Sequence, residues 1–178
     1  VVAAPLSERG QGLVAVVAAP GRVRAADGEH WGRGSEVEEA APEFAARVLS
    51  LMSARKHLTM ATLRRDGSPR ISGTEIEFAD GRLQIGSMPR AVKAQDLQRN
   101  PRVAIHGPTE DPPAANPAGW KGEAKIAGTA AEVGSDGPGH RFVIDIQEAV
   151  ITRLNDAGDR LVVESWSPAS GLRTLERE

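Results

Sequence analysis

The 178-residue sequence contains no cysteine and no tyrosine, and it has only three tryptophans and three phenylalanines. Without cysteine the chain has no disulfide framework, no thiolate nucleophile and no cysteine-ligated metal site. Its core must be built mainly from aliphatic side chains, which a hydrophobic fraction of 40% allows. The absence of cysteine is compatible with a reducing compartment, and we predict a cytoplasmic protein.

The sequence also lacks a strong excess of one charge and a long apolar run. The formal net charge is -2, whereas a nucleic-acid-binding surface needs a basic stripe. No apolar run approaches the roughly 18 residues that a membrane-spanning helix requires. We therefore expect neither a nucleic-acid partner nor a membrane. The length predicts a single domain with a tail.

Residues 1–41 differ in composition from the rest of the chain. They are rich in alanine, valine and glycine, and Pro5 and Pro20 interrupt them. Such a stretch buries too little apolar surface to offset the entropy lost on ordering it. We predict a flexible N-terminal extension over residues 1–41 and a folded domain over residues 42–178. A secretory signal is the alternative, because residues 13–19 form a short apolar run.

The folded domain is predicted to begin with a helix at Pro42. Proline suits the first helical turn, and Phe44, Val48 and Met52 follow at helical spacing. Their stripe predicts a helix that covers one end of a barrel.

Residues 57–102 carry the clearest strand pattern. Asp66-Gly67 and Asp80-Gly81 are typical of tight hairpin turns, and the segments around them alternate apolar and polar side chains as a half-buried sheet does. Residues 90–99 predict a helix, which Asn100-Pro101 ends.

The second half of the chain predicts further strands at residues 103–105, 120–133, 142–154 and 161–166. A proline-rich loop over residues 107–119 separates the first two. The apolar phase changes inside residues 142–154, which predicts a bulge. Turn signals about every ten residues predict an antiparallel barrel of six or seven strands.

Positive side chains cluster on the predicted helix 90–99. Arg90 and Lys93 are one turn apart and should point the same way, and the free N–H groups of a helix start favour an anion. Ser87 precedes this helix, and Arg70 and Ser72 share one face of the adjoining strand. These residues form a candidate phosphate site; a solvated helix with surface cations is the alternative.

The order of these residues resembles the flavin-binding split-barrel family, which includes the pyridoxamine 5'-phosphate oxidases and the deazaflavin-dependent reductases. In that family a strand bearing an arginine leads through a hairpin to a serine or threonine and then to a lysine. A leucine follows four residues later and Asn/Asp-Pro three after that. Arg70, Ser87, Lys93, Leu97 and Asn100-Pro101 fit this order. The resemblance covers about residues 42–175 and is strongest over residues 58–105.

The resemblance implies a mainly β protein with a few helices: a homodimeric, six-stranded antiparallel split barrel with its cofactor at the subunit interface. Arg70, Ser87 and Lys93 would hold the cofactor phosphate, and Ser72 and the backbone around Thr74 would line the ribityl chain and ring. The implied cofactor-binding residues are Arg70, Ser72, Thr74, Ser87, Met88, Lys93, Glu123, Trp166 and Arg173.

Two features depart from the family pattern. Glu123, which would approach the ring from the second subunit, stands where several members have glutamine. The C-terminal sequence GLRTLERE lacks the Arg-x-His pair with which pyridoxamine phosphate oxidase binds its substrate, so we do not expect vitamin B6 phosphates as substrates. Trp166 and Arg173 resemble the family's tryptophan and arginine near the ring; a core tryptophan and a tail arginine are the alternatives.

The resemblance implies an FMN-dependent oxidoreductase acting on a small organic substrate. The alternatives are a deazaflavin-dependent reductase and a non-catalytic carrier of flavin or haem, with His106 or His57 as the haem ligand. Glu110 and Asp111 oppose the extended basic groove that a deazaflavin coenzyme needs, which favours FMN. No side chain is assigned as a catalytic acid. No metal site is predicted, because the histidines lack metal-ligand spacing.

Overall fold

The computed structural model describes residues 34–79, 81–134 and 137–177. Residues 1–33 of the extension predicted over residues 1–41 lie outside this part, so that portion stays a prediction. Ordered structure begins before Pro42, because helix α1 (Gly34–Ala40) precedes helix α2 (Pro42–Met52). Val37 of α1 and Ala41, which lies between the two helices, are buried in the core, and the Ala41 N–H donates to the Val37 carbonyl at 2.9 Å. This contact orders the chain eight residues earlier than composition suggested.

Nine strands and a third helix follow in the described part of the chain. The strands are β1 (Leu58–Leu63), β2 (Pro69–Thr74), β3 (Ile76–Ala79), β4 (Arg82–Ser87), β5 (Arg102–His106), β6 (Glu123–Val133), β7 (His140–Leu154), β8 (Leu161–Ser167) and β9 (Gly171–Arg177). Helix α3 (Val92–Arg99) connects β4 to β5, and a short 3-10 helix (Pro117–Gly119) interrupts the proline-rich loop before β6.

The strand order closes the sheet into a barrel. Seven strands lie in the order β2-β1-β5-β6-β7-β4-β3, and all pairs are antiparallel. β2 and β3 are the two ends of this path, yet only Glu75 separates them in the chain. If β2 and β3 are counted as one bent strand, the barrel has six strands. The predicted mainly β, six-stranded antiparallel split barrel is therefore confirmed.

The remaining strands form a hairpin beside the barrel. The first half of β7 pairs with β4, and its second half pairs with β8, which in turn pairs with β9. β7 is long enough, at 15 residues, to serve both partners. The sequence predicted β8, as the strand at residues 161–166, but not β9, because residues 171–177 are exposed and carry no apolar alternation.

The turn and bulge predictions are confirmed. Gly67 and Gly81 have φ angles of 84° and 69° at the two hairpin turns, values that favour glycine. In the β6–β7 pair Ala127 lies opposite Glu148, whereas Gly128 lies opposite Ile146. β7 therefore contains one extra residue at this point, which is a β-bulge.

The core is aliphatic, as the composition requires. Phe44, Val48 and Met52 of α2 are at most 5% exposed, and α2 packs against β6 and β7. The largest fully buried side chains are Phe44, Phe142, Met52, Met60, Leu83, Ile105, Ile144, Ile151 and Thr62. Across the described ranges, no helix combines the length and the apolar character needed to cross a membrane.

Candidate functional site

Helix α3 presents its charged side chains at regular spacing. Lys93, Asp96 and Arg99 are three residues apart and therefore share one helical face. Ala94 and Leu97 are buried in the core and anchor the helix. The Asn100 N–H donates to the Asp96 carbonyl at 2.8 Å, and the helix ends there, as Asn100-Pro101 predicts.

Asp96 lies at the centre of the site. Its carboxylate accepts hydrogen bonds from Thr62 Oγ1 at 3.0 Å, Arg70 Nε at 2.6 Å and Arg99 Nη2 at 2.7 Å. The Asp96 side chain is only 3% exposed. Burial alone would raise its pKa, but the bonds from Arg99, Arg70 and Thr62 outweigh burial and lower the pKa of Asp96. The carboxylate is therefore ionised at neutral pH.

The two arginines that contact Asp96 differ in how many of their guanidinium N–H groups remain available to a ligand. Arg99 Nη2 also donates to the Leu63 carbonyl at 2.8 Å, so its guanidinium is engaged by the protein. Arg70 is 22% exposed and donates to Asp96 through Nε. Among the described residues, the two Nη groups of Arg70 have no hydrogen-bond partner. Arg70 can thus donate to an external acceptor without leaving Asp96.

Lys93 reaches from α3 to the edge strand β2. Its Nζ donates to the Gly73 carbonyl at 2.7 Å. Burial lowers the pKa of Lys93, and the nearby Glu75 carboxylate offsets part of this effect. An ammonium has three donors, and the hydrogen bond to the Gly73 carbonyl uses one of them. The half-buried cation is therefore well suited to an anion.

Ser87 ends β4, immediately before the turn that leads to α3. Its Oγ is buried and has no hydrogen-bond partner among the described residues. Buried hydroxyls are normally paired, so the Ser87 hydroxyl can form a hydrogen bond with a bound group. β2 and β4 contact one another, and Met88, the next predicted site residue, is 76% exposed.

The position of Arg90 corrects one expectation. Arg90 lies before α3, which starts at Val92, so Arg90 and Lys93 do not share a helical face. The Ala91 N–H donates to the Met88 carbonyl at 3.1 Å and closes a turn around Arg90. Arg90 has φ = 60° and is the one non-glycine residue in the described ranges with positive φ. Such backbone strain is concentrated at functional sites.

Ser72 and Thr74 continue the face of β2 that carries Arg70. The β1–β2 register places Arg70 opposite Thr62, Ser72 opposite Met60 and Thr74 opposite Leu58. Ser72 is half-buried, whereas Thr74 is buried and donates to the Glu75 carbonyl at 3.3 Å. Their roles beside the ring of a cofactor stay predictions.

Three predicted residues lie on other strands. Glu123 begins β6, and its Oε1 lies 3.6 Å from His106 Nε2. Trp166 is 2% exposed and belongs to the core, which fits the alternative of a core tryptophan. Arg173 is exposed on β9. Glu123 was predicted to approach the cofactor from a second subunit, and Trp166 and Arg173 were predicted to lie near the ring. The contact of these three residues with a cofactor remains a prediction.

His106 lines a surface groove of about 440 Å³ beside β1 and β5. His106 Nδ1 lies 2.8 Å from the Gly107 carbonyl, which can only accept, so Nδ1 carries the hydrogen. The groove residues are His57, Leu58, Thr59, Ile71, His106, Gly107, Pro108 and Thr109. Within residues 34–79, 81–134 and 137–177, no three His, Asp or Glu side chains are grouped to hold a metal ion.

Sequence reasoning assigned no role to Asp96 or Thr62. The spacing Lys93-x-x-Asp96-x-x-Arg99 was a usable signal, because opposite charges three residues apart pair on a helix. Thr62 could not be identified in this way, since it meets Asp96 across a separation of 34 residues.

Comparisons with known proteins agree with this fold. The family model for pyridoxamine 5'-phosphate oxidase matches residues 44–164, more than half of the chain. The fold is similar to that of a pyridoxamine 5'-phosphate oxidase-related, FMN-binding protein from Nostoc punctiforme, with 12% identity and a TM-score of 0.55 over 78% of this chain and 96% of that one.

A second similar structure is a protein related to general stress protein 26, of the pyridoxinephosphate oxidase family, from Clostridium acetobutylicum. It has 11% identity and a TM-score of 0.54 over 71% of this chain and 96% of that one. At such identities the likeness shows the fold alone. No curated protein sequence matches the chain.

Proposed function

We propose that this chain, which belongs to the pyridoxamine 5'-phosphate oxidase family, is an FMN-dependent oxidoreductase. Family membership supports a split barrel that can hold a flavin. The residues around α3 support the choice of FMN.

One observation supports FMN most directly: Arg70 keeps two unpaired Nη groups on a site that also holds Lys93. A phosphate monoester carries nearly two negative charges and three strong acceptor oxygens. Arg70 would bind two of these oxygens as a fork, and Lys93 would add a charge-assisted bond. The buried Ser87 hydroxyl, which lacks a partner in the described part, would pair with the phosphate as well.

Besides binding the phosphate, the chain would orient the flavin. FMN supplies hydride-transfer chemistry when bound, and the protein supplies its position and surroundings. Ser72 and the backbone near Thr74 would lie along the ribityl chain and ring, because they follow Arg70 on one face of β2. We assign no side chain as a proton donor to the substrate.

The geometry favours FMN over a deazaflavin coenzyme. The longer acidic tail of a deazaflavin needs a chain of free cations beyond the phosphate. Arg99 is instead engaged by Asp96 and by the Leu63 carbonyl. Arg55 likewise pairs with Glu110 at 3.0 Å. These two pairings take cations away from an extended tail site.

We further propose a homodimer as the functional unit. Glu123 and Arg173 lie on β6 and β9, whereas the phosphate residues lie on β2, β4 and α3. A second copy would bring one set toward the other. Ile71, beside Arg70, is 70% exposed, and an isoleucine so exposed is suited to contact with a partner.

A carrier that binds flavin or haem without turnover is the second candidate. His106 supports it, because Nδ1 donates to the Gly107 carbonyl and leaves Nε2 as the potential ligand nitrogen. This is the usual arrangement of an imidazole that binds a metal. Glu123, 3.6 Å from Nε2, would have to move aside for haem iron.

Reoxidation kinetics separate the two candidates. The protein is loaded with FMN, reduced anaerobically and mixed with menadione or with oxygen while the visible absorbance is followed. An oxidoreductase should reoxidise with at least one acceptor about tenfold faster than free reduced FMN, because it lowers the barrier. Reoxidation no faster than that of free FMN with any acceptor would contradict turnover. A Soret band after incubation with haemin would favour the haem carrier.

A further inference from the structure

We propose that Asp96 is the positioning residue of the phosphate site: it fixes Arg70 so that the site selects a flavin ending in a phosphate monoester. This inference rests on the proposed function, because it concerns the same site. It assigns a role to a carboxylate that is itself too buried to contact the ligand.

The first support is the burial of Asp96 and the origin of its partners. The side chain is 3% exposed, and its three donors come from β1, β2 and α3. An ionised carboxylate this buried is stable only when its oxygens are hydrogen-bonded. Asp96 thus joins the helix that carries Lys93 to the strand that carries Arg70.

The second support is the atom through which Arg70 is held. Asp96 binds Nε at 2.6 Å, on the inner edge of the guanidinium. The guanidinium is planar and rigid, so a fixed Nε also fixes the direction of both Nη groups. An arginine without this bond would sample several rotamers and would lose conformational freedom when it bound an anion.

The third support is the charge of the site. Lys93, Arg70 and Arg99 carry three positive charges, and the Asp96 carboxylate neutralises one of them. Glu75, the carboxylate near Lys93, is itself paired with Lys56 at 3.5 Å. Two positive charges match a phosphate monoester, which is close to a dianion at neutral pH. A phosphodiester carries one negative charge, and riboflavin carries none. The site therefore discriminates at the phosphate end of the flavin.

A purely structural carboxylate would behave differently, and the chain offers one for comparison. Glu132 on β6 accepts a hydrogen bond from Gln98 of α3 at 2.9 Å and lies 2.6 Å from His140 Nδ1. Glu132 therefore also ties α3 to the barrel, but it does not contact Arg70 or Lys93. Glu132→Gln is the matched control.

The test compares FMN with riboflavin in each variant. Asp96→Asn replaces one acceptor oxygen by an NH₂ group, which must then face the donor of either Arg70 or Arg99. Flavin fluorescence titration of the full chain gives both dissociation constants. We expect the preference for FMN over riboflavin to fall about tenfold in Asp96→Asn, and to stay unchanged in Glu132→Gln.

Three results would overturn the inference. An equal loss for FMN and riboflavin would make Asp96 a structural residue only. FMN affinity equal to or above that of the wild type would show that Arg70 needs no anchor. Wild-type protein that binds FMN no better than riboflavin would refute the phosphate site itself, and with it the proposed function.

If Asp96→Asn does not fold, Arg70→Lys carries the test. Lysine keeps the positive charge but lacks the fork, so it binds either Asp96 or the phosphate. A fall of about tenfold in the FMN preference supports positioning by Asp96. An unchanged preference shows that a positive charge at residue 70 suffices, which overturns it.

Discussion

Lys93 illustrates how one residue is prepared for an anion. A surface lysine normally keeps its ammonium in water, whereas Lys93 is half-buried and donates to the Gly73 carbonyl at 2.7 Å. Burial lowers the pKa of Lys93, and the nearby Glu75 carboxylate offsets only part of this effect, so the protein alone compensates the charged form incompletely. An incoming phosphate would supply that compensation.

Replacing Lys93 tests this directly. Lys93→Ala should weaken FMN binding by about 1.5–3 kcal/mol, or roughly ten- to a hundredfold, because a half-buried charged partner is lost. Lys125→Ala, on the exposed side of β6, serves as the control. Equal FMN affinities in calorimetric titrations of wild type and Lys93→Ala would reduce Lys93 to a surface cation.

The backbone strain at Arg90 predicts that a residue without a Cβ at this position makes the protein more stable. Its φ of 60° is unfavourable for any residue with a Cβ. Arg90→Gly should therefore raise the free energy of unfolding by about 0.5–1 kcal/mol, after allowance for the greater freedom of glycine in the unfolded chain. Arg90→Ala removes the same side chain and keeps the strain, so it should show no gain. Urea unfolding measures both; equal stabilities of the two variants would contradict the strain.

At the scale of elements, local signals predicted most of the barrel. Asp66-Gly67 marks a turn, Asn100-Pro101 a helix end, and the change of apolar phase after Ile146 a bulge; each is visible within a few residues of sequence. The break at Glu75 is not visible, because the two halves of one apparent strand pair with different partners, β1 and β4. Closure of the barrel depends on those distant pairings.

The candidate site also has a part that local sequence could predict and a part that it could not. Arg70 and Lys93 could be singled out from spacing and family pattern, since the motif orders them along the chain. Asp96 could not be given its role, because its partner Arg70 is 26 residues away and Thr62 is 34 residues away. Arg90 was misplaced because the turn before α3 excludes it from the helix, which begins two residues later than predicted.

The bulge between β6 and β7 makes a further prediction. A Cβ at Gly128 would collide with the backbone carbonyl of Asp145, and backbone cannot move aside cheaply. Gly128→Ala should lower the free energy of unfolding by about 1–3 kcal/mol. Gly86→Ala on β4 is the control, because a Cβ there meets open space. Similar midpoints for the two variants in thermal unfolding would contradict this account of the bulge.

For the folded domain as a whole, two buried carboxylates tie helices to the β-sheet. Asp96 holds α3. Glu164 on β8 holds α2 through Arg47, whose Nη1 and Nη2 each donate to a Glu164 carboxylate oxygen at 2.6 Å. Arg153 adds a third bond to Glu164 at 3.1 Å. The bonds from Arg47 lower the pKa of Glu164; burial opposes them and Arg153 reinforces them. Both carboxylates are therefore more acidic than in an unfolded chain.

This acidity predicts the pH dependence of stability. A carboxyl group whose pKa is lowered by folding stabilises the protein above its unfolded value, about 3.9 for Asp and 4.3 for Glu. That contribution is lost as the pH falls through the lower folded value. In urea unfolding, the contribution of these two carboxylates to the free energy of unfolding should stay constant between pH 7 and about pH 5. It should decrease below about pH 4.

Glu164→Gln supplies the comparison for that series. The variant lacks the Glu164 charge and should start less stable at pH 7, because a buried carboxylate and its arginines are uncoupled. It should then lose less stability on acidification than the wild type. Parallel pH curves for the two proteins would show that Glu164 does not contribute to acid unfolding.

The most direct test of the central claim is to identify the small molecule that the purified protein releases. The protein is denatured, and the supernatant is analysed by mass spectrometry and by its absorption spectrum. We predict FMN, in an amount that falls when Lys93 is replaced by alanine. Release of riboflavin, a deazaflavin coenzyme or haem in its place would contradict a site built around a phosphate monoester.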